Sequence, residues 1–562
     1  MDTNVLYYGD NLTILRHRTE HGDHDYLPDN SVDLVYLDPP FNSQQAYNIL
    51  FKENDVSWSP AQVKAFEDTW HWGPETERLY RGIVIDGPPR VAQLLAALIG
   101  EPENPGGIGR NDVTAYLVMM TVRLIELHRV LKPTGSLFLH CDPTMSHYIK
   151  LILDQIFGPT NFRNEIAWKR SSAHSDIGQG AKHMGRLHDI IFFFSKSEDF
   201  TANMQFLPYD ESYVESFYRH VEPGTGRHYT LDNLVAPGGA AKGNPRYEFL
   251  GITRYWRYSQ ERMQQLHAEG RIVQTKPGAV PRYKRYLDEM PGVALQDIWD
   301  DIRPIGSQAN ERLGYPTQKP LALLERVISF ASNEGDTALD PFCGCGTALV
   351  AAQKLNRRWI GIDITHLAIS VMRKRLQEHF PGIQVKVIGE PEDLPSAKAL
   401  ANQNRYQFQW WALSRIGARP LGEKKKGPDK GIDGVIPFSD EPSGKLKRAV
   451  VSVKSGKVGV PALRELIGVL KANQDPIGVF VTLYPPTSPM TTEASAVGFY
   501  HSDLWQRDYA RVQILTIDEV FQGKQPDIPL PAPSPKADSF EKVVKHGKSI
   551  KGAILEKRLP LL

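Results

Sequence analysis

The chain alternates short apolar runs with segments whose apolar residues recur every three or four positions, the rhythm of strands and helices in an α/β protein. The run Val5 to Tyr8 predicts a strand ending in Gly9-Asp10-Asn11, where a turn hands over to a helical pattern from Leu12 to Arg16. Val32 to Leu37 predicts a second strand, closed by Asp38-Pro39-Pro40-Phe41. Two prolines cannot continue a hydrogen-bonded strand, so this is a stiff loop at a strand's carboxyl end. Ala115 to Leu131 has helical spacing, is broken by Lys132-Pro-Thr-Gly135, and leads into a strand from Ser136 to His140. A helix from Ser146 to Phe157 and a buried strand from Ile190 to Phe194 continue the pattern. It resumes late in the chain: an amphipathic helix from Leu321 to Ser332, a strand from Thr337 to Leu339, a small-residue helix start at Ala348 to Ala352, a strand from Trp359 to Ile362, a helix from His366 to Phe380 and a strand from Gln384 to Ile388. Asp10 and Asp38 are close in sequence and both follow strands. They are therefore expected on neighbouring strands of a parallel sheet, whose carboxyl-end crevice is where such folds bind ligands.

Two stretches break the rhythm. Residues 46–111, with Trp58, Trp70, Trp72 and a Pro-Gly cluster at Pro102 to Gly109, read as a mostly helical insertion. Residues 203–300 scatter Gly, Pro and aromatics among basic side chains: Arg254, Arg257, Arg271, Lys276, Arg282, Lys284 and Arg285. Cations neutralise phosphates while aromatics stack on bases, so the mixture suits a DNA-reading module; a solvated charged surface has the same composition.

The length of 562 residues requires several domains, and 41% apolar with 23% charged content is ordinary for a globular protein. A net charge of +1 confines any nucleic-acid surface to a local patch. Three cysteines, Cys141, Cys343 and Cys345, give neither a disulfide framework nor zinc spacing, which fits a reducing cytoplasm. No stretch has the length and apolarity of a membrane span, and the start of the chain has no signal-peptide pattern.

The second landmark is Asp340-Pro-Phe342-Cys-Gly344-Cys-Gly346-Thr347 between a strand and a helix. Its glycines let backbone approach a ligand at a helix amino terminus. A dinucleotide fingerprint would want a small residue at position 349, which is Leu349, and no Gly-Lys-Ser/Thr follows to make a phosphate loop. Asp363, after the next strand, is placed to grip a ribose diol. Asp10 reads equally as a helix cap. His140 and Asp142 line the same crevice or hold the fold.

These motifs resemble the amino-group DNA methyltransferases that use S-adenosylmethionine. Asp38, Pro39, Pro40 and Phe41 look like their catalytic motif, and Asp340, Phe342, Gly344, Gly346 and Thr347 look like their cofactor motif. Asp10 and Asp363 fall where the family has further adenosine contacts, and Lys319 where a segment covers the methionine part. The order, catalytic motif first, basic insertion, then cofactor motif, resembles the family's β arrangement. The resemblance implies a Rossmann-like methyltransferase with an inserted target-recognition region, acting on a base flipped out of double-stranded DNA and stacked on Phe41. It implies adenine rather than cytosine, since cytosine-directed members usually carry Ser in place of Asp38.

Residues 1–202 are expected to form the catalytic half, 203–300 the recognition region, and 301–389 the cofactor half. A linker is expected at 390–405, a last domain at 406–528, and a Pro- and Lys-rich tail at 529–562. In the last domain Gly431-Ile-Asp433-Gly434, then Val451-Ser452-Val453-Lys454, resembles the Mrr-like branch of the restriction-endonuclease fold. That resemblance implies Mg2+ at Asp433 with Lys454 beside the scissile phosphate. Ser452 stands where the family usually has Glu or Gln, and Gln409 replaces a helix Glu. Cleavage and DNA binding without cleavage, helped by Lys424 to Lys426, stay open as alternatives. No ATP-driven motor is encoded, so translocation would need a separate restriction or motor subunit; a homodimer is the other partner expectation. The expected location is the cytoplasm, at the nucleoid.

Overall fold

The computed structural model describes residues 1–18, 26–40, 71–100, 106–171, 182, 184–306, 309, 311–313, 318–420, 432–440 and 446–529. A nine-stranded mixed sheet organises the larger part. Its strands are β1 (Val5–Tyr8), β2 (Val32–Leu37), β3 (Leu131–Cys141), β4 (Phe162–Lys169), β5 (His188–Ser195), β6 (Ile298–Trp299), β7 (Thr337–Asp340), β8 (Arg358–Asp363) and β9 (Lys386–Ile388), in the spatial order β6-β4-β5-β3-β2-β7-β8-β1-β9. From β3 to β9 all pairs are parallel; β5 runs antiparallel to both β3 and β4.

One expectation changes here. β1 and β2 are not neighbours, because β7 and β8 stand between them. All four residues of β7 are buried, as are four of the six in β8, so these strands need cover on both faces and occupy the middle of the sheet despite coming last. The apolar run Ile190–Phe194 is a strand, but it pairs antiparallel with β4, a strand whose alternation is masked by charges at Arg163, Glu165 and Lys169.

The helices fit their local signals. The central one, α4 (Asp112–Val130), follows α1 (Asn11–Leu15), α2 (Pro74–Asp86) and α3 (Pro89–Ile99). A capping box of Asn111 and Thr114 starts α4, and nearly its whole length is buried. Val91, Leu95 and Ile99 form one apolar stripe of α3 and join the same core as β1, β2 and α4. Within the insertion α2 and α3 are helical and pack on the main core; residues 46–70 and 101–105, with part of the Pro-Gly cluster, lie outside the described residues.

Beyond β5 in sequence, Ala202–Asp297 forms a compact unit of its own. It has a four-stranded antiparallel sheet, a hairpin of Arg246–Phe249 and Ile252–Tyr255, and the helix Gln260–Ala268. Leu234, Phe249, Trp256, Met263, Leu266 and Ile272 are its core.

After α5 (Ser146–Phe157), α6 (Leu321–Ala331), α7 (Thr347–Lys354) and α8 (His366–His379), the segment expected as a linker forms α9 (Leu394–Gln403) with an Asp393–Ser396 capping box. Its buried positions are Ala397, Leu400 and Ala401; alanines made the stripe look polar. α9 packs with α10 (Arg405–Arg415) against a five-stranded sheet of β10 (Arg419–Pro420), β11 (Gly434–Ser439), β12 (Leu446–Lys454), β13 (Ile477–Thr482) and β14 (Val512–Thr516), in sequential order. β12, β13 and β14 are parallel, with α11 (Val460–Asn473) covering their other face. Tyr8 of β1 reaches into this second core: its ring stacks on His366 at 3.6 Å between centroids, and its hydroxyl donates to Gln407 Oε1 at 3.4 Å. Among the described residues no helix is long and apolar enough to cross a membrane.

A buried arginine ties the helices to the sheet. Arg123 on α4 donates to Asp10 Oδ2 at 2.7 Å, Asn11 Oδ1 at 2.5 Å and the Met119 carbonyl at 3.0 Å, and Asn11 Nδ2 donates to the Pro341 carbonyl at 2.8 Å. Arg123→Ala strands two buried acceptors and should loosen this junction by about 2 to 3 kcal/mol. Amide exchange in α1 should accelerate accordingly; unchanged protection there would contradict the assignment.

Candidate active site

The order β3-β2-β7-β8-β1 brings five predicted positions to one edge of the sheet: His140, Asp38, Asp340, Asp363 and Asp10. Asp38 follows β2, and its Oδ2 pairs with Lys319 Nζ at 2.5 Å. Asp38 Oδ1 is buried without a hydrogen-bond partner among the described residues. Pro39 is buried, Pro40 partly so, and Phe41 lies outside the described residues.

Asp340 ends β7 and accepts from the Phe342 amide at 3.1 Å. Burial pushes its carboxyl well above the ordinary range against the pull of that amide, and the charges of Asp38 and Asp363 add to the shift. Phe342 is half-buried against the main core. The loop then turns through Gly344 at φ +48° and Gly346 at φ +75°. A Cβ on Gly346 would stand 2.6 Å from Met372 Cγ, so both space and backbone angle require glycine. Leu349, the position a dinucleotide fold keeps small, presses on Gly361 of β8: a Cβ there would meet Leu349 Cδ1 at 2.5 Å. The close approach between helix and sheet is kept, with the glycine on the strand.

Asp363 holds this loop from the side. Its Oδ2 accepts from the Gly344 amide at 3.0 Å, and its Oδ1 accepts from the Thr365 amide and hydroxyl, each at 2.8 Å. Burial pushes its carboxyl up to about 6, while these donors pull the other way. Below the loop, buried Arg375 of α8 donates to the Cys345 carbonyl and to Thr347 Oγ1, both at 3.1 Å. The sequence reading missed Arg375, whose signal is a cation three residues after Met372 on a helix that must face the loop.

Asp10 is the helix cap: Oδ1 accepts from the Thr13 amide at 3.0 Å, and Oδ2 is taken by Arg123. His140 is fully buried between Tyr36 OH at 3.3 Å and Asp189 Oδ2 at 3.1 Å, and Asp142 accepts from Thr144 and Met145. These residues hold the strand ends beneath the crevice.

In the unit Ala202–Asp297, Arg271 is gripped by both oxygens of Glu289 at 2.6 Å, Lys284 by Glu222 at 2.9 Å and Arg285 by Asp232 at 3.4 Å. Arg254, Arg257 and Lys276 are exposed, Arg282 is half-exposed, and none of the four has an ion pair among the described residues. In the last domain, Asp433 Oδ2 accepts from the Val453 amide at 2.6 Å and the Ser452 hydroxyl at 3.2 Å; Ser452 is fully buried and Lys454 half-buried. Among the described residues this is a single carboxylate that accepts from a hydroxyl and an amide, a poor donor set for a divalent cation. Among the described residues no three His, Cys, Asp or Glu side chains gather as metal ligands. Lys424 to Lys426 lie outside the described residues.

Comparison with known proteins places these features. Residues 32–374 match the DNA methylase family model, and residues 412–508 match a restriction endonuclease family model. The chain is 31% identical over 264 residues to the Type II methyltransferase M.EcaI of Enterobacter cloacae, covering 46% of this chain and 57% of that protein. It is 25% identical over 370 residues to the Type III restriction-modification enzyme StyLTI Mod subunit of Salmonella typhimurium, covering 63% of this chain and 50% of that one. The chain thus spans about half the length of these curated relatives. Among solved structures, the M1.HpyAVI–SAM complex shares 15% identity over 66% of this chain and 98% of that chain, with a TM-score of 0.29. Because the first match takes in more than half of the residues, including both strand-end loops of the crevice, the chain belongs to the DNA methylase family.

Proposed function

We propose that this chain transfers a methyl group from S-adenosylmethionine to the exocyclic amino group of adenine in double-stranded DNA. The observation that carries the reading is the placement of the Asp38-Pro39-Pro40 loop and the Gly344–Thr347 loop at the ends of adjacent strands β2 and β7. One crevice therefore has a hydrogen-bond acceptor for an amino group beside a backbone cradle for a nucleoside. An amino nitrogen on a base is a poor nucleophile because its lone pair is delocalised into the ring. Hydrogen bonds from its two hydrogens to Asp38 and to the Pro39 carbonyl would favour the pyramidal form. S-adenosylmethionine, when bound, supplies a methyl group on a positively charged sulfur, which this nitrogen can displace in line. Gly344 and Gly346 would admit the donor, and Asp363 would accept from its ribose. The base must leave the duplex to reach Asp38, and the family resemblance assigns the stacking role to Phe41.

Asp38, where cytosine-directed relatives usually have Ser, favours adenine. Arg254, Arg257, Lys276 and Arg282 are the cations offered to phosphates; Arg271, Lys284 and Arg285 are read as stiffening that unit. We read the last domain as holding DNA without cutting it, because Ser452 stands where the family usually has Glu or Gln and donates to Asp433.

Host DNA from cells expressing the protein should carry methyladenine in one sequence context, and methylcytosine instead would overturn the base assignment. Asp38→Ala should cut transfer of labelled methyl groups by more than about 100-fold with donor binding surviving; a normal rate would sink the mechanism. Asp363 is ionised above about pH 6 and neutral below it, and the charged form is the better acceptor for ribose hydroxyls and partner for a cation. Donor affinity measured by calorimetry should therefore fall between pH 7.5 and pH 5, with a shallower fall in Asp363→Asn; a flat profile in the parent would count against Asp363. Unmodified DNA incubated with the protein and magnesium or manganese should stay intact, and specific cuts would reverse the reading of the last domain.

A further inference from the structure

The pairing of Lys319 with Asp38 is separate from any role of Lys319 in covering a cofactor. The two side chains are only 11% and 15% exposed, and they meet at 2.5 Å. The carboxylate is used unevenly: Oδ2 is held by the ammonium, whereas Oδ1 is buried and accepts nothing among the described residues. A buried acceptor without a donor is costly, and such groups are kept where a ligand completes them. Lys319 is itself fixed by a strapped segment. Gln318 Oε1 accepts from the Leu313 amide at 2.8 Å, Gln318 Nε2 donates to the Glu311 carbonyl at 2.6 Å, and Glu311 Oε2 accepts from the Leu321 amide at 3.1 Å. Pro320 then opens α6. The ammonium is presented from a braced loop on a separate part of the chain, 281 residues from Asp38.

We propose that Lys319 is a positioning residue for methyl transfer: it clamps Asp38 Oδ2 so that Oδ1 alone is offered to one amino hydrogen of the target base. The proposal rests on the methyltransferase reading above. In that step the nitrogen lone pair forms the new N–C bond while the carbon–sulfur bond breaks and its electrons stay on sulfur. The nitrogen, now positively charged, then gives one hydrogen to water as a proton. A carboxylate free to rotate about its last bond would swap its oxygens and let the amino group turn away from the methyl carbon. One fixed oxygen preserves the alignment on which an in-line displacement depends. A lysine that served the donor alone would act on donor binding, and kinetics separates the two roles.

The test compares full-length protein with Lys319→Gln and Lys319→Arg, using labelled S-adenosylmethionine and a DNA containing the modified site. Lys319→Gln should keep its donor affinity by calorimetry, which also shows that it is folded. Its kcat at saturating donor and DNA should fall roughly 10- to 100-fold, the rate equivalent of one charge-assisted hydrogen bond. Lys319→Arg, which keeps the charge, should recover much of that rate. Loss of donor affinity with kcat retained at saturation would overturn the proposal, as would Lys319→Gln turning over like the parent. A parent protein that methylates no DNA at all would instead remove the methyltransferase reading, and that result is visible before any variant is compared.

Discussion

Four aspartates stand at the carboxyl ends of four consecutive strands, and much of the crevice consists of their separate accommodations. Parallel strands all finish on one edge, so the side chains that follow β2, β7, β8 and β1 are neighbours whatever their charges. Each carboxylate has a different answer. Asp38 has Lys319, Asp10 has Arg123 and a helix end, Asp363 has the amides of Gly344 and Thr365, and Asp340 is deeply buried with its affinity for a proton raised. These compensations are also the struts of the loops. The Gly344 turn is held open because Asp363 needs its amide, and α1 is anchored because Asp10 needs Arg123. Electrostatic cost and structural order come from the same contacts.

How far the molecule was legible from its residues depends on the range of each interaction. Strand ends were readable because Pro39, Pro40, Gly344 and Gly346 punctuate the chain locally. Sheet order was not, since β7 and β8 arrive some three hundred residues after β2 yet pair between it and β1. The cap at Asp10 was readable because its donor, Thr13, is three residues on, whereas its ion pair with Arg123, 113 residues away, was not. α9 escaped notice because alanines and one leucine supply its buried face. The basic stretch looked richer in free cations than it is. Glu289 and Glu222, which bind Arg271 and Lys284, are 18 and 62 residues off in sequence and join them only through folding.

The last domain shows a similar economy with the opposite outcome. Its five-stranded sheet and two helical layers are intact, and β12 carries Lys454 at its end, yet the hydroxyl of Ser452 and the amide of Val453 occupy one oxygen of Asp433. Asp433 is thereby tied to the strand that carries Lys454.

Tyr8 belongs to β1 and so to the crevice-bearing sheet, but its ring lies between His366 and the core of the carboxyl-terminal domain, within reach of Gln407. The two domains are therefore not beads on a string. A cut anywhere between β9 and α10 would leave a tyrosine and a buried histidine facing water, three residues past Asp363 in one case and two before Asp10 in the other. The crevice-bearing body has no finished outer wall on that side, and the carboxyl-terminal domain is what closes it. Recombination that exchanged one domain without the other would have to rebuild this seam, which gives the fusion a physical reason to be inherited as a single piece.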